Sequence, residues 1–491
     1  MSTPLPLLTL LFLTLPVGAL LAWLLPRPGW AKRVALGTAL VDLVLCAAIL
    51  AVFDPSQPGF QLVQRGDWMP ALNIQYLVGL DGISVLFLPA TVLLFIGVIL
   101  ASWNSVTPMP RLYYSLLLLM ETMTLGVFCA LDTVLFFLFW ELSLVPLYFL
   151  VSLWGVGANR RYAAVKYTLV MLAGGVPLLF GFILLAFNHL ELAGSLAFDL
   201  PTLLDTPLQS GTELWVFLLL LLGFAVKVPV FPLHTWLPVV AMEGPVAVAA
   251  LLTGLKLGAY GLIRFAVPLA PEAARDLHWL LAGLGTVGLL YGAVAALAQT
   301  NLRRMLAYAS LSHVGLVLLG IASFNTQGVQ GAVLQLVNFS IVAGGIFLLT
   351  GFLHHRIGST DILQLGGAVR SMPLLAGFFL LFSLAGMGMP GTSGFPAELL
   401  LLLATLKTHT GAGLAALFAM VVGAAYTLGL YRRAFFGPAV SPVVADAADL
   451  RPRELGVALA FALIVLAVGL YPMPLLEAIR PAAEAWVARL P

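Results

Sequence analysis

Apolar residues fill almost the whole chain in long blocks separated by short polar punctuation. A helix needs about 20 predominantly apolar residues to cross the hydrocarbon core of a bilayer. Blocks of that kind lie near 5–25, 31–53, 80–103, 111–130, 133–154, 162–188, 213–238, 244–268, 277–299, 303–323, 328–354, 371–409, 411–436 and 453–473, which predicts fourteen helices. Two stretches between them are polar enough to read as loops lying on one surface: 54–77, with Asp54-Pro-Ser-Gln-Pro and Arg65-Gly-Asp, and 189–212. The pattern therefore predicts an all-α polytopic membrane protein without a separate soluble domain. Its first residues, Met1-Ser-Thr-Pro-Leu-Pro, lack a basic region, so the first apolar block is expected to be a retained helix and not a cleaved signal.

Composition agrees. Hydrophobic residues make up 61% of the 491, and mean hydropathy is +1.06, more than a soluble fold can cover. A net charge of +2 gives no footing for nucleic acid. Cys46 and Cys129 both lie in apolar runs and suggest neither a disulfide framework nor an iron–sulfur or zinc site. Loop cations test the helix map. With the first loop inside, Arg27, Lys32, Arg33, Arg111, Arg160, Arg161, Arg303, Arg304, Arg356, Arg370, Arg432, Arg433, Arg451 and Arg453 gather on that side, while Arg65, Arg264, Arg275, Lys407, Arg480 and Arg489 fall outside. That bias favours both termini on the outer side.

Two helices are interrupted. One carries Phe224-Ala-Val-Lys227-Val-Pro229-Val-Phe-Pro232-Leu-His234, the other Gly386-Met-Gly-Met-Pro390-Gly-Thr-Ser-Gly-Phe-Pro396-Ala-Glu398. Proline removes a donor and clashes with the carbonyl four residues back, which frees Ala225 and Val228 in the first and Gly386 and Thr392 in the second. Free carbonyls at membrane depth are tolerated where they line a protein-buried or wet cavity. The breaks fall on the seventh and twelfth predicted helices. An odd shift of five implies opposite orientations, as in an inverted repeat of helices 4–8 and 9–13. The harmless alternative is a pair of proline kinks.

Only 9% of the residues are charged, yet Glu141, Lys227, Lys256 and Glu398 all sit inside apolar runs. A charge at the centre of a bilayer costs roughly 2.5–3.5 kcal/mol on insertion scales, so such residues read first as an ion path, most simply for protons. Lys227 is the strongest candidate, because a desolvated lysine beside a carboxylate can trade a proton when that carboxylate moves; Glu141 is its natural partner, and a static ion pair is the other reading. Lys256 follows one helix later. Glu398 reads as terminal acceptor or as the cap of a broken helix. His313 and His234 are each open to relay or packing roles, and Glu121 to a place on the path. Lys166 anchors near a helix end, and Asp132 and Asp42 rank lower. Tyr260, Ser310 and Ser312 are placed to hold water. Gly283-Leu-Gly-Thr-Val-Gly288 and Gly386-Met-Gly-Met-Pro-Gly391 match GxGxxG but follow no βα unit, so they read as close helix contacts. His354-His355-Arg356 reads as a solvated loop. No flavin, haem, iron–sulfur or nucleotide signature is present, so no redox chemistry is expected in the chain itself.

The stretches around these residues resemble a known family. Gly79-Leu-Asp-Gly-Ile-Ser84, Phe139-Trp-Glu-Leu, Asn159-Arg-Arg-Tyr-Ala, Phe224 through Pro238, Ala298 through His313 and Gly391-Thr-Ser-Gly-Phe are similar to the antiporter-like membrane subunits of respiratory complex I. The M-type branch, counterpart of the fourth mitochondrial NADH dehydrogenase subunit, is the nearest, and Glu398 favours it. The resemblance covers nearly the whole chain. It implies fourteen helices in two inverted five-helix repeats with discontinuous helices 7 and 12, organised as 1–110, 111–268, 269–436 and 437–491. It further implies a Glu141–Lys227 pair, Lys256 as connecting lysine and Glu398 as distal group. FMN, iron–sulfur clusters and quinone would belong to partner subunits, the membrane partners would include neighbouring antiporter-like subunits, and the location would be a bacterial inner membrane or a thylakoid-type membrane. The chain departs from the family pattern at Val239-Val-Ala241 and at Asn338-Phe339. Rival readings are a Mrp-type sodium/proton antiporter subunit, a membrane subunit of a related hydrogenase or inorganic-carbon-uptake complex, and a scaffold that has lost transport.

Overall fold

The computed structural model describes residues 6–25 and 27–490. All fourteen predicted segments are helical. Among the described residues, eleven are long and apolar enough to cross a membrane uninterrupted or nearly so; the other three are the segment of the short helix Phe87–Ala101 and the broken segments 213–238 and 371–409.

The chain opens with α1 (Leu7–Leu24) and α2 (Pro28–Val52). A two-stranded antiparallel hairpin follows, β1 (Gln61–Met69) and β2 (Ile74–Leu80), with Arg65 opposite Leu77 and Asp67 opposite Gln75. The predicted loop at 54–77 is thus mostly a hairpin, turning at Asn73 in the left-handed region. Gln64 and Tyr76 anchor it to Thr9 of α1 at 2.5 and 2.9 Å. The third predicted helix starts later than expected, at α3 (Phe87–Ala101), because Asp81 folds the chain back on itself by accepting the N–H groups of Ile83 and Ser84.

α4 (Pro110–Cys129), α5 (Thr133–Leu142), α6 (Leu144–Trp154) and α7 (Arg160–Ala193) come next. Asp132 caps α5 by accepting from Val134 and Leu135, and it also takes the N–H of Gln75 from the hairpin. A cap of this kind supplies about 1 kcal/mol and gives Asp132 a structural task. The predicted loop 189–212 contains the end of α7 and a short α8 (Leu200–Leu204).

Then follow α9 (Ser210–Lys227), α10 (Trp236–Glu243), α11 (Val246–Gly254), α12 (Leu257–Gly261), a π-helical turn at Leu262–Ala266, α13 (Val267–Leu269) and α14 (Pro271–Asp276). α15 (His278–Leu297) and α16 (Leu302–Ala322) pack tightly. A Cβ on Gly315 would lie 2.5 Å from the backbone nitrogen of Leu289, so the glycines here serve close approach. α17 (Thr326–Asn338) runs through a π-helical turn, Phe339–Ala343, into α18 (Gly344–Ile357).

The last elements are α19 (Pro373–Gly386), α20 (Gly394–Thr408), α21 (Thr410–Phe435), the short α22 (Pro442–Ala445), α23 (Pro452–Leu470) and α24 (Met473–Ala488). α24 lies beyond the predicted set and bridges distant elements. Trp486 donates to the Ile263 carbonyl at 2.7 Å, and its Leu476 carbonyl accepts from Gln330 of α17 at 3.2 Å. His354-His355-Arg356 is not a loop but the last turn of α18. There Arg356 pairs with the buried Glu454 and bonds the carbonyls of Ala448 and Asp449.

A buried row of ionisable residues

The first break is built by proline and repaired by neighbours. α9 ends at Lys227; the Ala225 carbonyl that Pro229 would orphan is taken by the N–H of Val230, and the Val226 carbonyl by the Trp236 indole, at 3.0 and 2.9 Å. Lys227 points at the joint between α5 and α6. Its ammonium donates to the Trp140 carbonyl at 2.9 Å and to the Ser143 hydroxyl at 3.0 Å, and lies 3.9 Å from the Trp140 ring centroid. The joint exists because Pro146 cannot donate to Leu142, and Ser143 closes it by donating to Trp140 at 2.7 Å.

Glu141 sits between these two partners of Lys227, but the expected direct ion pair is not formed. No Glu141–Lys227 contact within 4 Å occurs among the described residues, although each group feels the other's charge. Both Glu141 oxygens are buried without a hydrogen-bond partner, and Oε1 rests against the backbone of Gly175 where a side chain would collide with it. Lys227 is satisfied by the carbonyl and hydroxyl flanking the acid, which leaves the acid free to take a proton or a partner. Sequence reasoning missed Trp140 and Ser143 as partners; a serine just ahead of a proline in an apolar run was the available signal.

A cavity of ≈ 30 Å³ adjoins Lys227, lined among others by Ser143, Tyr167, Leu252 and Leu255. One water needs about 10–15 Å³ by this measure, so it has room for two or three. Beyond it stands Lys256, 4% exposed, at a third break that no proline announces. α11 stops at Gly254 and α12 restarts at Leu257. The Gly254 carbonyl accepts the Ser340 hydroxyl at 3.1 Å, which ties this break to the π turn of the other half. Lys256 donates to the Leu252 carbonyl at 3.3 Å and lies 5.4 Å from the Phe339 ring centroid.

In the second half, His313 of α16 and Glu398 of α20 approach at 3.4 Å, Nδ1 to Oε1. The separation is within ion-pair range, yet Oε1 makes no well-aligned hydrogen bond. The other carboxylate oxygen fills the space beside Gly388, whose φ is +67°. His313 faces a cavity of ≈ 60 Å³ that is also lined by Ser310, Gln335, Asn338, Phe339 and Ser383. The hydroxyls of Ser310 and Ser383 have no protein partner, as expected of groups that bond water. Where the chain departs from its family pattern, Asn338 accepts from Ser393 of the second break at 2.5 Å and reaches Gln335 at 3.4 Å.

The remaining candidates scatter. His234 is buried with Nδ1 unpartnered, among the rings of Phe231, Tyr291 and Tyr308. Glu121 is wholly buried and unpartnered on α4, near Asp42, which Thr14 bonds. The Tyr260 hydroxyl donates to the Phe128 carbonyl at 2.9 Å and accepts from Arg264 at 3.1 Å. Arg264 is not a loop cation. It is buried in the π turn and grips Asp81 with both terminal nitrogens, at 2.5 and 2.7 Å. That pair was also missed, since its partners are 183 residues apart.

A profile described as "NADH:quinone oxidoreductase/Mrp antiporter, TM" matches residues 130–423. NADH-quinone oxidoreductase subunit M of Rhodobacter capsulatus is 35% identical, covering 92% of this chain and 89% of its own length. Subunit M of Escherichia coli (strain K12) is 34% identical, with 94% of each chain covered. Among solved structures, a chain of respiratory complex I from Thermus thermophilus with bound NADH superposes with a TM-score of 0.89 at 33% identity, covering 99% of this chain and 100% of that one. A chain of the Mrp complex from Dietzia sp. DQ12-45-1b shares the fold, with a TM-score of 0.84 at 24% identity over 98% of this chain and 52% of that one. The chain belongs to the NADH:quinone oxidoreductase/Mrp antiporter family of membrane proteins.

Proposed function

We propose that the chain is a proton-translocating membrane subunit of a complex-I-like NADH (or ferredoxin):quinone oxidoreductase. The observation that carries the reading is the row Glu141–Lys227–Lys256–His313–Glu398. All but His313, which lies mid-helix in α16, are set at or beside helix breaks, with acids left short of hydrogen bonds and water-sized cavities at Lys227 and His313. Buried ionisable groups in a membrane are costly and mark ion pathways, and a carboxylate without partners is poised to bind a proton or a cation.

In this reading the redox reaction takes place in partner subunits that hold FMN, iron–sulfur clusters and quinone, and its charge shift reaches this chain through neighbouring membrane subunits. Glu141 moves toward or away from Lys227, and Lys227 trades its proton accordingly. The proton then passes by Lys256 and His313 to Glu398. His234 and Glu121 stand as accessory groups. The organisation 1–110, 111–268, 269–436 and 437–491, with inverted repeats over helices 4–8 and 9–13, belongs to the same reading. So do placement in a bacterial inner membrane and outer-side termini, which the loop cations support.

The test is Lys227→Ala in the assembled complex, reconstituted in vesicles. Protons pumped per electron should fall while the flavin site still oxidises its donor with an artificial acceptor; unchanged stoichiometry would overturn the reading.

A further inference from the structure

One aromatic ring neighbours both halves of the row. Phe339 is buried at the first position of the π turn Phe339–Ala343. The Lys256 ammonium lies 5.4 Å from its ring centroid, and the His313 ring meets it edge-on at 6.2 Å and 79°. Among the described residues no hydrogen bond joins Lys256 to His313. Two separate water-sized cavities serve the two halves: one carries Lys227 and reaches Leu255, next to Lys256 in sequence, and the other carries His313 and is walled by Phe339 itself.

A proton moves along hydrogen-bonded groups or waters, and a phenyl ring offers neither a donor nor a lone pair. Its face does attract a cation, by roughly 0.5–2 kcal/mol depending on desolvation. The ring therefore holds the Lys256 ammonium in place and blocks its onward route with the same contact. Its surroundings suit a part that moves. π-helical turns recur at functional sites because their wider hydrogen bonding relaxes the helix. The His313 side of the ring borders unfilled space. The Ser340 hydroxyl, bonded to the Gly254 carbonyl at 3.1 Å, keeps the turn in register with the break that carries Lys256.

We propose that Phe339 is a dry gate between Lys256 and His313. With the ring in place the halves are insulated. When it swings toward the His313 cavity, water enters, one proton leaves the Lys256 ammonium as a neutral amine, and the same proton arrives on an imidazole nitrogen of His313. The gate rests on the proton-path reading above.

The intact complex, reconstituted in liposomes, gives two readouts: decay of an imposed pH gradient without electron donor, and protons pumped per electron with it. Phe339→Ala should speed the passive decay several-fold and lower the pumping ratio, Phe339→Val should do so less, and Phe339→Leu, which keeps apolar bulk, should stay near wild type. Adding Lys256→Met to Phe339→Ala should remove the extra decay. If the alanine variant does not assemble, the valine variant with and without Lys256→Met makes the same test. Wild-type decay in the ring-free variants, or a leak that Lys256→Met leaves untouched, would overturn the gate. Because Lys227→Ala tests the path separately, lowered pumping there with no leak at Phe339 would reject the gate alone, and unchanged pumping in Lys227→Ala would reject the path.

Discussion

The buried pair between Asp81 and Arg264 makes the sharpest energetic prediction. Arg264 donates both terminal nitrogens to Asp81 and Nε to Tyr260, and Asp81 also accepts from the backbone of Ile83 and Ser84. Two unit charges about 4 Å apart attract by roughly 4 kcal/mol at an effective dielectric of 20, and most of that offsets desolvation. Removing one partner forfeits the attraction and keeps the desolvation cost, about 3–5 kcal/mol. Asp81→Ala is expected in that range, since only the Tyr260 hydroxyl and the faces of Phe60 and Tyr260 remain to Arg264. Arg264→Met should cost less, because Asp81 keeps its backbone donors. The double variant should be more stable than the sum of the singles implies, by about 0.5–3 kcal/mol, the range for groups in contact. Heat-induced loss of this subunit from the purified complex provides the assay. If 3 kcal/mol is expressed in the barrier, Asp81→Ala speeds the loss on the order of 100-fold at fixed temperature. Single effects below about 1 kcal/mol that simply add would refute the claim that this pair clasps the hairpin end to the eighth span.

Two further outcomes follow from named contacts. Trp486→Phe keeps an aromatic ring but leaves the Ile263 carbonyl, now bonded at 2.7 Å, without its donor; the same heating assay should register about 1–3 kcal/mol, and no change would mean that α24 does not brace the π turn. Gly175→Ala places a methyl group where Glu141 Oε1 lies, a crowding of about 1–3 kcal/mol that should displace the acid and lower protons pumped per electron. Gly283→Ala, whose methyl would meet nothing within 4 Å, is the control, and equal pumping in the two would refute the packing role given to Gly175.

The helices were legible because the bilayer enforces one rule along the whole chain: every span is an apolar run of fixed length. The proline breaks were legible for a local reason, the missing donor. The break at Leu255-Lys256 was not, because no residue there forbids a helix; the interruption is tied down by a hydroxyl 86 residues away. The hairpin hid in a segment whose alternation is blurred by irregular register between Gln61 and Gln64 and between Asp67 and Met69. Glu141, Lys227, Lys256 and Glu398 stood out as charges in apolar runs. Their partners did not, since Trp140, Ser143 and Phe339 look like ordinary membrane residues until the fold brings a cation to them. Arg264 shows the opposite error: near a span end it read as a solvent-facing anchor, and only its distant acid reveals it as interior.

Lys227 grips the carbonyl and the hydroxyl that bracket Glu141 at the joint of α5 and α6. An ammonium brings three donors and a full charge to that joint. Once it gives up its proton, the attraction to the Trp140 ring and the charge-assisted part of both hydrogen bonds go with it. On the proposed path, the departing proton would change the stiffness of a helix joint, and bending there would carry Glu141, one residue from Trp140. Charge and lever arm form one mechanical element: losing the proton loosens the hinge that positions the next group to bind one.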